Sequence, residues 1–211
     1  MSQPLLRRCM RDQIRDRLLE RILEGTYAPG HRFVELDLAA EFQVSQSPVR
    51  EALRELEVMG AVDSLRYKGT RVRSPNPVEM AEAYALRAIL EQRSAELAVP
   101  CPPAVLDSLR ADLAALHEAA RDRDVARYSR HAFNFHRSIV VQSGNHLFLE
   151  IWENVQTRAR LPFVAQHLSA ELASCAADHD PILAALEKGE GASAGRLLRT
   201  FMESLLAKLP R

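Results

Sequence analysis

The chain has 211 residues, of which 47% are hydrophobic and 27% are charged, and its formal net charge is zero. Only 8 glycines occur, and the abundance of Ala, Leu, Arg and Glu predicts a mainly α-helical globular protein of one or two domains. No apolar run approaches the roughly 18 residues that span a bilayer, and the arginine-rich N-terminus lacks the apolar region of a signal peptide. We therefore expect a cytoplasmic protein without a membrane partner.

The first 60 residues predict three helices. The first covers about 8–24, a short one covers about 35–42, and a two-residue connection leads into a third at 46–59. Ser45 and Ser47 suit a helix N-cap, and Gly60 suits a left-handed C-terminal cap. Two short helices joined so tightly predict a helix-turn-helix.

The third helix has two different faces. Its apolar residues recur at helical spacing on the side that would pack, whereas Arg50 and Arg54 lie off that side. Polar side chains at its N-terminal end suit a DNA major groove about 12 Å wide, where Arg reads guanine and Gln reads adenine. By spacing alone, an ordinary solvated helix surface is an equally good interpretation.

A small hairpin follows, with strands at 61–65 and 70–73. Packed on the helices, it would form a wing with Arg66, Lys68 and Arg71 at its tip, and Arg7, Arg8 and Arg11 offer further phosphate contacts. The residues predicted to contact DNA are Ser45, Gln46, Ser47, Arg50, Arg54, Lys68, Gly69 and Arg71.

A domain boundary is predicted near residue 75, giving domains at 1–75 and 76–211. Asn76 suits an N-cap and Pro77 a first helical position. The helices predicted beyond this point cover about 77–98, 104–120, 124–142, 146–160, a segment interrupted at Pro162 that continues to 175, 177–188 and 192–209. Short connections between them predict an antiparallel all-helical bundle of six or seven helices.

Three stretches of the N-terminal part, 29–39, 44–53 and 69–72, resemble the winged helix-turn-helix of GntR-family transcription regulators. The resemblance implies a sequence-specific DNA-binding regulator, with a repressor favoured, that binds a pseudo-palindromic operator as a homodimer. At Gln46 the family usually has Arg, so we expect an altered base preference or weaker binding at that position.

The C-terminal part resembles the FCD effector domain of the FadR-like branch, through Arg87, Glu91 and the runs 135–136, 143–145 and 178–186. The resemblance implies that a small, carboxylate-bearing metabolite bound in this domain modulates operator affinity. The residues predicted to bind it are Arg87, His136, His179, Arg158 and Asn145. For Asn145 a helix cap is the more favoured role. Arg87 and Glu91 are alternatively an ordinary i,i+4 surface pair.

Many FCD domains hold a metal through an Asp and three His. This chain keeps His136 and His179 but has Ala132 and Phe201 at the other two positions. His131 lies about 140° around a helix from His136, so it does not share that face, and His167 is a remote substitute. We therefore expect no cofactor, with a zinc or nickel ion at His136 and His179 as the less favoured alternative.

Other function classes have weaker support in the sequence. No glycine-rich phosphate loop, HExxH helix or GxSxG elbow occurs, which argues against an enzyme. A helical scaffold or adaptor without DNA binding would account for the bundle but not for the wing or the arginines of the third helix. The three cysteines, Cys9, Cys101 and Cys175, are far apart and odd in number, which predicts free thiols.

Overall fold

The computed structural model describes residues 9–23, 25–65, 69–74, 76–159, 164–165 and 167–208, and of residues 23, 65 and 156–159 it describes the backbone alone. The chain divides into two compact units, Met1–Ser74 and Pro75–Arg211. Within the described ranges, no helix has the length and apolar character that crossing a membrane requires.

The first unit is a helix-turn-helix with a three-stranded sheet. Its elements are α1 (Met10–Leu23), β1 (Arg32–Phe33), α2 (Glu35–Phe42), α3 (Gln46–Val58), β2 (Val62–Leu65) and β3 (Gly69–Val72). The strands are antiparallel in the order β1-β3-β2. The three helices and the hairpin match the predicted elements. Strand β1 was missed, because two residues are too short to show an alternating pattern.

Helix α3 is held by a buried apolar face and a defined C-terminus. Val49, Leu53 and Leu56 are at most 2% exposed and share one core with α1 and the sheet. Gly60 has a φ of +74°, and its N–H donates to the Glu57 carbonyl while the next N–H donates to Leu56. This is a Schellman motif, which ends the helix where the sequence predicted. Ser45 occupies the N-cap position without a side-chain cap hydrogen bond.

The second unit is an all-helical bundle. Its helices are α4 (Pro77–Leu97), α5 (Pro103–Asp122), α6 (Val125–Gln142), α7 (His146–Ala159), α8 (Leu172–Ala177), α9 (Asp180–Glu187) and α10 (Gly191–Lys208). The Asn76 side chain accepts hydrogen bonds from the N–H groups of Val78 and Glu79, as an N-cap does.

Two predicted helices of this bundle were wrong in extent. The segment expected to run on to 175 is interrupted by a turn at 168–171, and α8 begins only at Leu172. The helix expected at 177–188 begins at Asp180, because Pro181 lacks a backbone N–H and suits only a first turn. His179 consequently lies at the turn between α8 and α9. The predicted interruption at Pro162 falls outside the described residues.

Helices α4 and α10 cross closely through two glycines. An added Cβ at Gly195 would lie 2.6 Å from the Gln92 carbonyl oxygen, and one at Gly191 would lie 2.9 Å from that of Ala95. Side chains larger than hydrogen would therefore push the two helices apart. This contact fixes α4, the helix that supplies the buried polar residues Arg87, Glu91 and Ser94.

Candidate functional sites

The exposed face of α3 carries the polar residues predicted to meet DNA. Gln46, Ser47, Arg50 and Arg54 are all exposed and fall within about 100° of the helix circumference, and Ser45 is exposed just before them. At 13 residues, α3 is about 20 Å long and of a width that a major groove admits. The structure thus brings these five predicted residues to one surface.

Arg50 is not free on that surface. Its Nη2 and Nε donate to Oε2 of Glu35 in α2, at 2.9 and 3.0 Å. This hydrogen bond, together with the nearby negative charge, raises the pKa of the guanidinium above its usual value. Glu35 therefore holds the Arg50 head near the start of α2. Arg54, by contrast, forms no ion pair with any described residue.

The wing presents two arginines side by side. Arg71 of β3 is directly opposite Arg32 of β1, and both are exposed. Like charges in this position are destabilising, and neither side chain is ion-paired within the described parts of the chain. Gly69 has a φ of +78°, and an added Cβ there would lie 3.3 Å from Nε of Arg32. Arg32 was missed because β1 was missed.

The described structure places only one of the other predicted cations of this unit, Arg11. Arg7, Arg8, Arg66 and Lys68 lie outside the described residues. The Nε of Arg11 lies 2.9 Å from Glu55 on α3, so this arginine is paired inside the unit.

In the second unit, Arg87 and Glu91 form a fully buried pair on α4. Each is 1% exposed, and Nε of Arg87 donates to Oε1 of Glu91 at 2.7 Å. The Trp152 indole N–H donates to the same oxygen at 2.7 Å. Burial alone would raise the pKa of the Glu91 carboxyl, but Arg87, His136 and Trp152 together lower it to about 2. The alternative of an ordinary surface pair is therefore wrong.

His136 and His179 meet beside this pair. Their Nε2 atoms are 3.2 Å apart, and Nδ1 of His179 donates to the Cys175 carbonyl at 2.7 Å. Burial and the neighbouring His136 lower the pKa of His179 to about 3, so the ring is neutral at pH 7. The neutral His179 then accepts at Nε2, and His136 donates to it. Nδ1 of His136 lies 2.7 Å from Oε2 of Glu91, although the two groups are not aligned for a hydrogen bond.

A cavity of about 20 Å³ lies between these groups, with Arg87, His136 and His179 at its polar end. This is room for about one water molecule. Its remaining walls are mainly apolar and include Ala132, Val164, Leu168, Leu172 and Phe201. The Phe201 ring is stacked on His136 and lies edge-on to His179, with centroid distances of 5.9 and 4.6 Å.

Arg87 and His136 of the cavity wall belong to a set of buried residues with a polar atom that lacks a hydrogen-bond partner in the described structure: Tyr84 Oη, Arg87 Nη1, Glu91 Oε2, Ser94 Oγ and His136 Nδ1. An unsatisfied buried polar group costs about 1 to 3 kcal/mol. Four of the five residues lie at helical spacing on α4. Tyr84, Ser94 and Trp152 were not predicted as part of this interior. Tyr84 and Ser94 lie on α4 at helical spacing from Arg87 and Glu91, and the sequence shows that spacing.

The donors present do not fit a closed metal site. His136 and His179 supply two nitrogens, but Ala132 and Phe201 put carbon at the other two positions. His131 instead contacts Asp112 of α5 at 2.9 Å, and His167 is exposed outside the cavity lining. Among the described side chains, no group of three or more His, Cys, Asp or Glu is placed to hold a metal ion.

Of the two remaining predicted effector residues, only Asn145 has a described side chain, and it lies away from the cavity. The Asn145 side chain accepts from the Phe148 N–H at 3.1 Å and caps α7, and it is not part of the cavity lining. The Arg158 side chain lies outside the described structure. Of the cysteines, Cys175 is buried in the cavity wall, and all three are free thiols.

Comparisons with known proteins agree with this architecture. The family model of bacterial regulatory proteins of the gntR family matches residues 10–72, and the FCD domain model matches 82–204. A probable D-xylose utilization operon transcriptional repressor from Paenarthrobacter nicotinovorans is 31% identical over 189 residues, covering 90% of this chain and 84% of the relative.

Two solved structures share the fold over nearly the whole chain. Escherichia coli McbR/YncC has a TM-score of 0.84 at 24% identity and covers 94% of this chain and 96% of its own. A GntR transcriptional regulator from Rhodococcus sp. RHA1 has a TM-score of 0.81 at 26% identity, with 93% and 95% covered. These relatives are transcription regulators rather than enzymes. The chain therefore belongs to the GntR family of bacterial transcriptional regulators and carries an FCD domain.

Proposed function

We propose that this regulator is a homodimeric, ligand-responsive repressor that acts on a pseudo-palindromic operator in the cytoplasm. The observation that carries the DNA-binding part is the exposed polar face of α3, flanked by the side-by-side wing arginines Arg32 and Arg71. Within this proposal, residues 1–75 bind DNA and residues 76–211 bind the effector and dimerise. Repression is supported by the relative from P. nicotinovorans, which is named as a repressor.

The α3 residues have different roles in this proposal. Ser45, Gln46 and Ser47 contact base edges or phosphates at the helix N-terminus, and Arg54 contacts the backbone further along. Arg50 contributes a base contact. Glu35 either restrains Arg50 until DNA binds or orients it toward the base. Gly69, Arg71, Lys68 and Arg32 contact the phosphates of one DNA strand in this proposal.

The test is selection of bound sequences from random duplex DNA by the full chain. We expect an inverted repeat, because a two-fold dimer presents two copies of α3. Arg50→Ala should lose at least about tenfold affinity for the selected operator, and Gln46→Arg should change the preferred base at one position in each half-site. Enrichment of no sequence would contradict the DNA role and favour a helical scaffold.

A matched variant separates the two possible actions of Glu35. Glu35→Gln removes the ion pair but leaves Arg50 in place. If Glu35 only restrains Arg50, this variant binds the operator more tightly. If Glu35 orients it, binding weakens and the preferred base at the Arg50 contact becomes less defined.

For the effector, we propose a small carboxylate-bearing metabolite bound at the cavity by Arg87, His136 and His179. Support comes from the buried Nη1 of Arg87, which has no described partner, at the polar end of an otherwise apolar cavity. A guanidinium in such a site binds a carboxylate well. Because the cavity holds about one water, the apolar wall of Val164, Leu168 and Leu172 must move outward when the effector enters. Arg158 and Asn145 stay secondary candidates.

The clamp is tested by calorimetry with mono- and dicarboxylates of two to six carbons. Arg87→Lys keeps the charge and loses the planar fork, so we expect about tenfold weaker binding by an otherwise folded protein. Arg199→Lys, an exposed arginine of α10, serves as the control. Equal affinity of wild type and Arg87→Lys for a carboxylate that releases the operator would refute the clamp.

A further inference from the structure

Most polar groups at the cavity are already engaged within the protein. Both ring nitrogens of His179 have partners, Nδ1 with the Cys175 carbonyl and Nε2 with His136. Nδ1 of His136 lies 2.7 Å from a carboxylate oxygen of Glu91, so it faces that carboxylate. Nε of Arg87 donates to Glu91 as well, whereas Nη1 of Arg87 is buried without a hydrogen-bond partner in the described structure. Arg87 therefore brings one unengaged cationic nitrogen to the cavity lining.

The rest of the lining is apolar. Among the lining residues that the structure describes, no side chain carries a carboxylate or an amide, and Tyr128 supplies the single hydroxyl. The largest apolar side chains of the walls are Leu168, Leu172, Phe201 and Met202, each at most 7% exposed. A ligand enclosed here meets carbon on most sides and one guanidinium at one end.

We propose that the effector of this chain is a monocarboxylate with an apolar body, and not a sugar acid or a dicarboxylate. Its carboxylate binds Nη1 of Arg87, and its body lies against the apolar walls. A hydroxyl buried without a partner weakens binding by roughly tenfold, and an unpaired second carboxylate weakens it by more. The proposal rests on the carboxylate effector of the proposed function and names its chemical class.

The cavity of about 20 Å³ has to widen for such a body, and its walls suit that change. Met202 is unbranched and has three rotatable bonds, so it can adopt a new rotamer as the ligand enters. When carbon walls close around an apolar body, each CH₂ group removed from water tightens binding about threefold to fourfold. A hydroxylated body lacks that gain, because its hydroxyls give up hydrogen bonds to water that the described walls do not replace.

The first test is calorimetry of the full chain with four carboxylates. Hexanoate, gluconate and adipate have six carbons each and differ in their hydroxyl and carboxylate groups, and butyrate is two CH₂ groups shorter than hexanoate. We expect hexanoate to bind about tenfold more tightly than butyrate, and at least about tenfold more tightly than gluconate or adipate. Equal or tighter binding of gluconate or adipate would overturn the proposal, as would equal binding of butyrate and hexanoate.

The second test changes one wall of the cavity while nearly keeping its size. Val164→Thr replaces a methyl group of a lining residue by a hydroxyl. It should weaken hexanoate binding at least about threefold, because the ligand then removes that hydroxyl from water, and it should narrow the difference between hexanoate and gluconate. Val140→Thr makes the same change at a fully buried position outside the described lining and should leave both affinities unchanged. Wild-type hexanoate affinity in a folded Val164→Thr would contradict the proposed position of the apolar body.

Failure of this inference is distinguishable from failure of the proposed function. A preference for gluconate or adipate that Arg87→Lys weakens about tenfold refutes the apolar class and leaves the effector site in place. Binding of none of the four acids, or binding that Arg87→Lys leaves unchanged, refutes the effector site and this inference together. The wild-type series decides the proposal even where a wall variant fails to fold, and selection of the operator judges the DNA role separately.

Discussion

Removing Arg87 from its pair should destabilise the second unit strongly. In Arg87→Met, the Glu91 carboxylate stays 1% exposed but loses the cation 2.7 Å away. Breaking a buried pair from one side costs about 3 to 5 kcal/mol, because the remaining charge is left uncompensated. Glu91→Gln should cost a similar amount by leaving Arg87 alone. The double variant Arg87→Met/Glu91→Gln buries neither charge, so we expect its loss to be at least about 2 kcal/mol smaller than the sum of the two single losses.

The assay is urea unfolding followed by tryptophan fluorescence. Trp152 is the single tryptophan of the chain and is fully buried against Glu91, so its signal reports the second unit alone. Arg199→Met breaks the exposed pair of Arg199 with Glu203 at the same i,i+4 spacing and should cost less than about 0.5 kcal/mol. A loss below about 1 kcal/mol for Arg87→Met, with no coupling to Glu91, would refute the view that this pair is a buried electrostatic unit.

pH supplies a second check on the same pair. The folded-state pKa of Glu91, about 2, lies below its ordinary value of 4.5. Its stabilisation is therefore present above pH 4.5 and is lost as the pH falls through about 2. Without Arg87, the effect of burial, which raises the pKa of Glu91, is less opposed. The Glu91 carboxyl can then become neutral by taking up a proton. The deficit of Arg87→Met relative to wild type should consequently be larger at pH 7.5 than at pH 5.

Three further outcomes are expected. Arg32→Ala and Arg71→Ala should each weaken DNA binding similarly for all sequences and reduce the slope of log affinity against log salt by about 1; an unchanged slope in fluorescence anisotropy titrations would contradict the wing contact. His179 has a folded-state pKa of about 3 against 6.5 unfolded, so its stabilisation is complete above pH 6.5 and declines below it. Between pH 6.5 and 5 the free energy of unfolding should fall by about 2 kcal/mol because of this titration. Urea unfolding of His179→Gln should show no such fall. Gly195→Ala should cost about 1 to 3 kcal/mol by thermal unfolding despite better helix propensity, because its Cβ meets the Gln92 carbonyl; a stabilised variant would contradict the close crossing.

Local signals in the sequence were sufficient for most helix positions. Asn76 and Pro77 mark the start of α4, and Gly60 marks the end of α3, because caps and left-handed glycines act through neighbouring backbone groups. The exposed polar face of α3 was also predictable, since helical periodicity separates buried from exposed residues. Strand β1 was not, because its pairing with β3 joins residues 39 positions apart, Arg32 and Arg71.

The interior site depended on contacts that spacing does not contain. The i,i+4 relation of Arg87 and Glu91 is the same on a surface as in a core, and only the packing of Trp152 and His136 around it shows that the pair is buried. His136 and His179 are 43 residues apart and were identified by family resemblance, not by pattern. Their contact and the covering ring of Phe201 emerge only from the fold.

Helix α4 connects the two roles proposed for the second unit, effector binding and dimerisation. Arg87 lines the cavity, while Leu86 and Ile89, on the same two helical turns, are exposed on the outer face of the helix. A carboxylate that draws the Arg87 guanidinium away from Glu91 changes the interactions that set the rotation of α4 about its axis. Because α4 is one continuous helix, such a rotation would move its outer face as well. Linkage makes this effect reciprocal. The amount by which dimerisation changes the free energy of effector binding equals the amount by which the effector changes the free energy of dimerisation.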